Sequence, residues 1–325
     1  MEFDSFCGNQ AAVRILRTAA QGVPRSHAYL FYGTEGTGKK TLANLFAQAL
    51  LCGGEEKPCG RCVACLKVLK GIHPDFTVVR KPADKSIISV EQIRALREEI
   101  FIRPNESDYR VVLLEEAENM NIPAANALLK VLEEPPSYVI FLLTAGNERL
   151  LPETIVSRCT SIELFEVPLT QAQKWIEEQF PAADPAERQK ALLYGRGNLG
   201  KSRAYLEDAA VRRGWEQAFS LARALTARRE YDILEALAPY ENDKSGLLQL
   251  LRDFDNILGR IAVRPYSEVP DAEMDPLAGK ISPLQAAALH NELDGVRTAL
   301  FFNGNCALTA AKFGSRLKTI METQA

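Results

Sequence analysis

The hydrophobic pattern in the first half of the chain alternates between short apolar runs and longer runs with helical spacing. A buried strand is predicted over 28–32, where five apolar or aromatic residues end at Gly33, and a helix over 40–51. The same patterns predict strands over 76–80, 110–114 and 138–144, and helices over 90–100 and 122–132. Alternating strands and helices are typical of a parallel sheet covered by helices on both faces. We therefore expect an α/β domain.

After about residue 167 the strand-like runs end and long amphipathic segments follow. Helical spacing predicts a small three-helix unit over 170–179, 186–194 and 201–208, and further helices between 215 and 322. We expect an α/β domain at 1–167, a small helical domain at 168–208 and a separate all-helical domain at 209–325.

The composition is that of an ordinary soluble protein, and we expect the protein to be cytoplasmic. Its 325 residues are 46% hydrophobic and 25% charged, which is typical of a soluble protein with two or three domains. No run reaches the roughly 18 apolar residues of a membrane span, and the first ten residues lack the features of a signal peptide. The net charge of -3 argues against a surface that binds nucleic acid all over, though it leaves room for a local basic face.

A glycine-rich segment between the first strand and the next helix predicts a phosphate-binding loop. Its sequence is Gly33-Thr34-Glu35-Gly36-Thr37-Gly38-Lys39. Glycines let successive backbone N–H groups turn toward phosphate oxygens, and the lysine adds a positive charge. The usual pattern continues with a hydroxyl residue for Mg²⁺, but Lys40 stands there and Thr41 comes one position later. We expect ATP or ADP binding with impaired placement of Mg²⁺; the alternative is a plain strand-to-helix turn.

Two carboxylates follow the strand at 110–114, where a hydrolytic nucleotidase holds one acid for Mg²⁺ and a second to orient water. Glu115 takes the first position, at which aspartate is usual, and Glu116 takes the second. The extra methylene of glutamate matters because Mg²⁺ demands near-ideal octahedral geometry. The alternative for both residues is a solvated acidic turn.

Four cysteines within fourteen residues predict a metal site. Cys52, Cys59, Cys62 and Cys65 offer four soft thiolates between glycines and a proline that permit tight turns. Tetrahedral zinc, at about 2.3 Å from each sulfur, suits this set, and with all four positions filled the ion would be structural. An iron–sulfur cluster is the chemical alternative. The other three cysteines stand apart and are not predicted as ligands.

Several of these features, taken in order, resemble the subunits of the bacterial DNA polymerase III clamp loader. The resemblance is carried by 27–31, the phosphate loop, the four cysteines, 125–136 and Ser157-Arg158-Cys159. It implies an AAA+ nucleotide-binding domain at 1–167 with a zinc module at 52–65, a helical lid at 168–208 and a collar domain at 209–325. It also implies Zn²⁺ and ATP or ADP as cofactors. The implied partners are the other subunits of a hetero-pentameric ring and, through the ring, the sliding clamp and primed DNA, with no membrane.

The resemblance also assigns roles to two residues for which spacing alone indicates no function. Arg158, which by itself would be a solvated or ion-paired arginine, becomes an arginine finger directed at ATP in a neighbouring subunit. Thr144, at the end of its strand, takes the first sensor position of the family.

Three departures from the family pattern bear on hydrolysis. Lys40 replaces the magnesium hydroxyl, Glu115 replaces the magnesium acid, and Gly200 stands where a Gly-x-x-Arg sensor would place arginine. Groups that act on one phosphate act as a unit, so these losses should erode hydrolysis severely. We expect a loader subunit that serves its neighbour and hydrolyses ATP weakly or not at all. The alternatives are a motor ATPase subunit of the same loader and a zinc-dependent nucleic-acid-binding protein whose phosphate loop is unused.

Overall fold

The computed structural model describes residues 3–22, 26–82, 85–227, 230–266, 271, 273–302 and 304–323. The chain divides into two units, Met1–Leu206 and Glu207–Ala325.

A sheet of five parallel strands lies at the centre of the first unit. The strands are β1 (Ala28–Tyr32), β2 (Phe76–Val79), β3 (Arg110–Leu114), β4 (Val139–Ala145) and β5 (Thr160–Glu163). Their order is β2-β3-β4-β1-β5, and every neighbouring pair is parallel, which confirms the predicted parallel sheet. The edge strand β5 was not predicted, because Ile162 is its one buried apolar residue.

Helices cover both faces of this sheet. They are α1 (Gln10–Ala20), α2 (Lys39–Leu51), α3 (Val63–Leu69), α4 (Val90–Ile100), α5 (Ile122–Glu133) and α6 (Glu153–Val156). Successive strand residues point to opposite faces. Phe31 therefore joins a core with Phe46 of α2, while Leu30 joins a second core with Leu128 of α5. Burial on both faces explains the continuous apolar runs of β1, β3 and β4.

Three helices follow the sheet: α7 (Leu169–Gln179), α8 (Pro185–Gly195) and α9 (Leu199–Glu207). They form a small core in which Ala172 and Ile176 of α7 pack with Leu192 of α8. Helix α8 begins at a strong start signal, because the Asp184 carboxylate accepts a hydrogen bond from the Ala186 N–H and Pro185 takes the first helical position. All three helices lie where the amphipathic pattern predicted them.

The described part of the second unit contains helices and no strand. Its helices are α10 (Ala209–Ala227), α11 (Glu230–Leu237), α12 (Lys244–Val263), α13 (Asp275–Ala278), α14 (Pro283–Phe301) and α15 (Cys306–Thr323). Leu250, Phe254, Ile257 and Ile261 of α12 are buried at the three- and four-residue spacing of one helix face. Within the described ranges, no helix is both long and apolar enough to cross a membrane.

Candidate functional site

The phosphate loop joins β1 to α2, and its glycines are required by its backbone. Gly33, Gly36 and Gly38 have φ angles of 141°, 88° and 92°, a region that side chains rarely allow. Space is also short, because a Cβ on Gly36 would lie 2.1 Å from the Asn198 side-chain oxygen. A Cβ on Gly33 would lie 2.2 Å from the Leu164 carbonyl oxygen. The loop therefore has the tight backbone that its sequence predicted.

Lys39 is held against its own loop. Its Nζ donates to the carbonyl oxygens of Gly33 over 2.6 Å and Thr34 over 2.7 Å. Burial lowers the pKa of Lys39, against the pull of nearby carboxylates. A phosphate must therefore compete with two carbonyl oxygens for this ammonium. The following hydroxyl residue, Thr41, is exposed and has no side-chain hydrogen bond among the described residues.

The start of α9 lies directly on the phosphate loop. Asn198 is buried, and its side-chain amide donates to the Glu35 carbonyl oxygen over 2.7 Å. The Gly200 N–H donates to the Gly36 carbonyl oxygen over 2.9 Å. A Cβ on Gly200 would lie 2.5 Å from the Gly36 Cα. An arginine at position 200 would collide with the loop, which gives a physical reason for the glycine at the sensor position.

A lysine ammonium lies between the two carboxylates that follow β3. Lys40 Nζ is 3.1 Å from Glu115 Oε2 and 3.1 Å from Glu116 Oε1. The second oxygen of Glu116 accepts from Lys81 Nζ at 3.0 Å. The structure thus brings together Lys40, Glu115, Glu116 and Lys81 in one cluster of ion pairs.

These contacts set the protonation of the cluster. Hydrogen bonds from Lys81 and then from Lys40 hold the pKa of Glu116 below its usual range. Burial alone lowers the pKa of Lys40, but its hydrogen bonds to Glu116 and Glu115 outweigh burial and raise that pKa. Both shifts favour the charged forms of Glu116 and Lys40. A divalent cation would have to displace the Lys40 ammonium, which lies between both carboxylates.

Thr144 lies near the end of β4, beside the acidic turn. It is buried, and its hydroxyl oxygen accepts a hydrogen bond from the Glu116 N–H over 2.9 Å. Glu116 itself has a left-handed backbone with a φ of 52°, which is uncommon for a residue other than glycine. The residue after β4 is hydrogen-bonded to the same turn, because Glu118 Oε1 accepts from the Gly146 N–H at 2.7 Å. Hydrogen bonds thus connect the carboxyl ends of β3 and β4.

Arg158 follows α6, and its guanidinium is hydrogen-bonded to residues of α5 and α6. Its Nη2 donates to Glu133 Oε1 over 2.9 Å, and its Nη1 donates to the Thr154 carbonyl oxygen over 2.9 Å. The side chain is 34% exposed. Its hydrogen-bond partners lie at the end of α5 and on α6, and none lies on the phosphate loop of the same chain.

The four cysteines form one compact cluster between α2 and α3. All four sulfurs lie within 4.8 Å of one another, and Cys52 Sγ is 3.5 Å from Cys59 Sγ and 3.8 Å from Cys62 Sγ. A tetrahedron of sulfurs at about 2.3 Å from a central zinc ion has edges of about 3.8 Å. The cluster therefore has the dimensions of a zinc site.

Backbone N–H groups point at the sulfurs of the cluster. The N–H groups of Cys62 and Cys65 point at the sulfurs of Cys59 and Cys62, at 3.3 Å and 3.4 Å. Such bonds, first from Arg61 and then from Cys62, lower the pKa of Cys59 to about 6. Burial instead raises the pKa of Cys65. Four sulfur donors in one cluster fit a soft metal ion held by the protein alone.

The site also contains residues that sequence reasoning missed. Lys81 has no motif around it, so only the fold places it at Glu116. Asn198 sits in a Gly-Asn turn that marks a break between helices, a signal for a turn but not for contact with Glu35. Glu133 belongs to the resemblance segment 125–136, yet nothing in its spacing indicates Arg158 as its partner.

Comparison with known proteins places the first half of the chain in one family. A family model described as DNA polymerase III, delta subunit, matches residues 8–168. The chain is 39% identical over 194 residues to DNA polymerase III subunit delta' of Pseudomonas aeruginosa, covering 58% of this chain and 57% of that protein. It is 31% identical over 279 residues to subunit tau/gamma of Haemophilus influenzae, covering 80% of this chain and 40% of that protein. The chain thus spans about half of each relative's length.

A solved structure shares the fold over nearly the whole chain. It is a gamma-subunit-related protein of DNA polymerase III from Thermotoga maritima, with a TM-score of 0.55 and 15% sequence identity. The match covers 96% of this chain and 99% of that one. At this identity the likeness concerns the fold alone.

Proposed function

The chain belongs to the family of DNA polymerase III clamp-loader subunits, and from this premise we propose that it acts as the delta prime subunit. In this role it helps to load the sliding clamp onto primed DNA. It hydrolyses ATP weakly or not at all, and it supplies an arginine finger to a neighbouring ATPase subunit.

The observation that carries this proposal is the position of the Lys40 ammonium between Glu115 and Glu116. Hydrolysis in this class of enzyme needs Mg²⁺ on the phosphates and a carboxylate free to orient water. Lys40 supplies a positive charge where the metal would be needed, and the second carboxylate is bound by two ammonium groups. The ion pairs of Lys40 and Lys81 therefore oppose both the binding of Mg²⁺ and the orientation of water by Glu116.

The contact between α9 and the phosphate loop gives independent support. Gly200 leaves no room for a sensor arginine, and Asn198 ties the loop from the same side. A phosphate loop held in this way favours a rigid subunit over one that opens and closes with each ATP. Any nucleotide bound through Gly33, Gly36, Gly38 and Lys39 would act as a structural ligand.

Arg158 is suited to act on a neighbouring subunit. Its partners come from α5 and α6, and a third of its side chain is open to solvent. An arginine that reaches ATP across a subunit boundary stabilises the charge that develops on the transferred phosphoryl group. This role requires a ring, which we propose to be hetero-pentameric, with 168–208 as lid and 209–325 as collar.

We further propose that Cys52, Cys59, Cys62 and Cys65 hold one structural Zn²⁺. The bound ion would tie the end of α2 to the start of α3 and would take no part in phosphate chemistry, because the protein supplies all four ligands.

A motor ATPase of the same loader is the second candidate. It is favoured by the match to a tau/gamma subunit over 80% of this chain. The phosphate-loop lysine Lys39 is also retained.

ATP hydrolysis by the purified chain, with clamp and primed DNA present, separates the two candidates. We expect no turnover above that of Lys39→Ala. Turnover well above that control would identify a motor subunit and overturn the delta prime proposal. In a loader reconstituted with its ATPase subunits, Arg158→Ala should slow clamp loading by tenfold or more while the ring still assembles, since an arginine finger contributes about 10³-fold or more.

A further inference from the structure

We propose that Glu133 is a positioning residue that orients Arg158 toward the phosphates of the neighbouring subunit. This inference rests on the proposed role of Arg158 as an arginine finger. It assigns a task to the carboxylate that ends α5, which neither the motif nor the spacing of the sequence indicated.

The backbone of Arg158 is fixed on both sides. Its N–H donates to the Ile155 carbonyl oxygen over 3.1 Å, and the Cys159 N–H donates to the Val156 carbonyl oxygen over 3.0 Å. Ile155 is buried, and Val156 and Cys159 pack against the core under α5. Movement of the guanidinium is therefore limited to the rotatable bonds of its own side chain.

Glu133 is presented from a helix that cannot shift easily. Leu128, Val131 and Leu132, the last turns of α5, are buried in the same core. The Glu133 carboxylate bonds Nη2, and the Thr154 carbonyl oxygen bonds Nη1. Two acceptors on two different helices thus fix the plane of the guanidinium, which a single acceptor would leave free to rotate.

Enough of the guanidinium remains for a ligand. It carries five N–H donors in a rigid fork, and the two bonds described above use two of them. The other three donors have no acceptor among the described residues, and the side chain is 34% exposed. Phosphate oxygens are the acceptors that such a planar fork recognises well. Glu133 therefore orients the finger without occupying it.

The role of Glu133 is distinct from a contribution to stability. The side chains of Arg158 and Glu133 are 34% and 46% exposed, and ion pairs open to solvent contribute little to folding. We therefore expect Glu133→Gln to fold normally. Its neighbour Glu134 provides a matched control, because it is also exposed and its side chain has no partner among the described residues.

The test compares Glu133→Gln, Glu134→Gln, Arg158→Ala and the double variant Glu133→Gln/Arg158→Ala in the reconstituted loader. The clamp-loading rate is measured against ATP concentration. Glu133→Gln should lower the maximal rate about tenfold, since misplacing a reacting group by 1 Å can cost about a hundredfold. The ATP concentration at half-maximal rate should stay unchanged. Glu134→Gln should stay within twofold of wild type, and the double variant should match Arg158→Ala.

Different failures point to different errors. Full loading by Glu133→Gln, with slow loading by Arg158→Ala, would overturn the positioning role and leave the finger in place. A double variant slower than Arg158→Ala would show that Glu133 acts on something other than the finger. Wild-type loading by Arg158→Ala would overturn the finger itself and the inference with it.

Discussion

The N–H of Gly200 donates a hydrogen bond to the carbonyl oxygen of Gly36 over 2.9 Å, so the first turn of α9 rests on the phosphate loop. This contact is between two backbones, and it is available because neither residue has a side chain. The same close approach leaves no room for a side chain at position 200. Any side chain at position 200 would disrupt the packing of α9 on the loop.

Replacing Gly200 by alanine should destabilise the protein. The added Cβ would lie 2.5 Å from Gly36 Cα and 2.7 Å from its carbonyl oxygen, and backbone atoms cannot move aside cheaply. We expect a loss of about 1–3 kcal/mol in the free energy of unfolding, the usual cost of overpacking. Urea denaturation measures it. Gly259→Ala is the control, since that helical glycine has open space around its Cβ position and alanine should be neutral or stabilising there. Equal midpoints for Gly200→Ala and wild type would disprove the close contact.

Replacing Asp75 by asparagine should lower the free energy of unfolding more than Gly200→Ala does. Asp75 is fully buried and accepts hydrogen bonds from the N–H groups of Asn105, Glu106 and Ser107 and from the Ser107 hydroxyl. Removing the charge weakens all of these bonds and places an NH₂ group where an acceptor is needed. We expect a loss of roughly 2–4 kcal/mol at pH 7. Asp108→Asn, at an exposed site in the same loop, should change stability by less than about 0.5 kcal/mol.

The same residue predicts a pH dependence with a defined sign. Burial alone raises the pKa of Asp75, but the hydrogen bonds from Asn105, Glu106 and Ser107 outweigh it, and the net pKa is lowered. A lowered folded-state pKa contributes stability above the unfolded value of about 3.9, and this contribution is lost as pH falls through the folded value. The stability gap between wild type and Asp75→Asn should therefore narrow below about pH 4. A gap that stays constant from pH 7 to pH 3 would contradict this account.

The sequence allowed most of the sheet and its phosphate loop to be predicted, because buried parallel strands have continuous apolar runs and the loop has a strict glycine pattern. Strand β5 escaped prediction because an edge strand with one buried residue has no such run. The contacts within the site could not be predicted from the sequence in the same way. Lys81 reaches Glu116 from the end of β2, and Asn198 reaches Glu35 across 163 positions of sequence. Both pairings depend on the order of strands and helices in space, which local spacing does not encode.

The four-cysteine cluster should bind one zinc ion per chain, and Cys62→Ser should abolish this binding. Metal analysis of the purified protein should give about one equivalent of zinc for wild type and close to none for Cys62→Ser. Cys7→Ser is the matched control, because Cys7 lies far from the cluster in sequence and should leave the metal content unchanged. Visible absorption by the purified wild-type protein, with iron in place of zinc, would show that the site holds an iron–sulfur cluster.

Loss of the zinc should also lower the melting temperature. Cys52 directly follows α2 and Cys65 is buried in α3, so a bound ion would close a loop of fourteen residues and join the two helices. Metal binding to a site that the unfolded chain lacks adds directly to the free energy of folding. Cys62→Ser, or wild type treated with a strong chelator, should therefore melt at a lower temperature than Cys7→Ser. If the chelated protein contained no metal yet had the melting temperature of the wild type, the cysteines would pack as thiols and zinc would have no structural role.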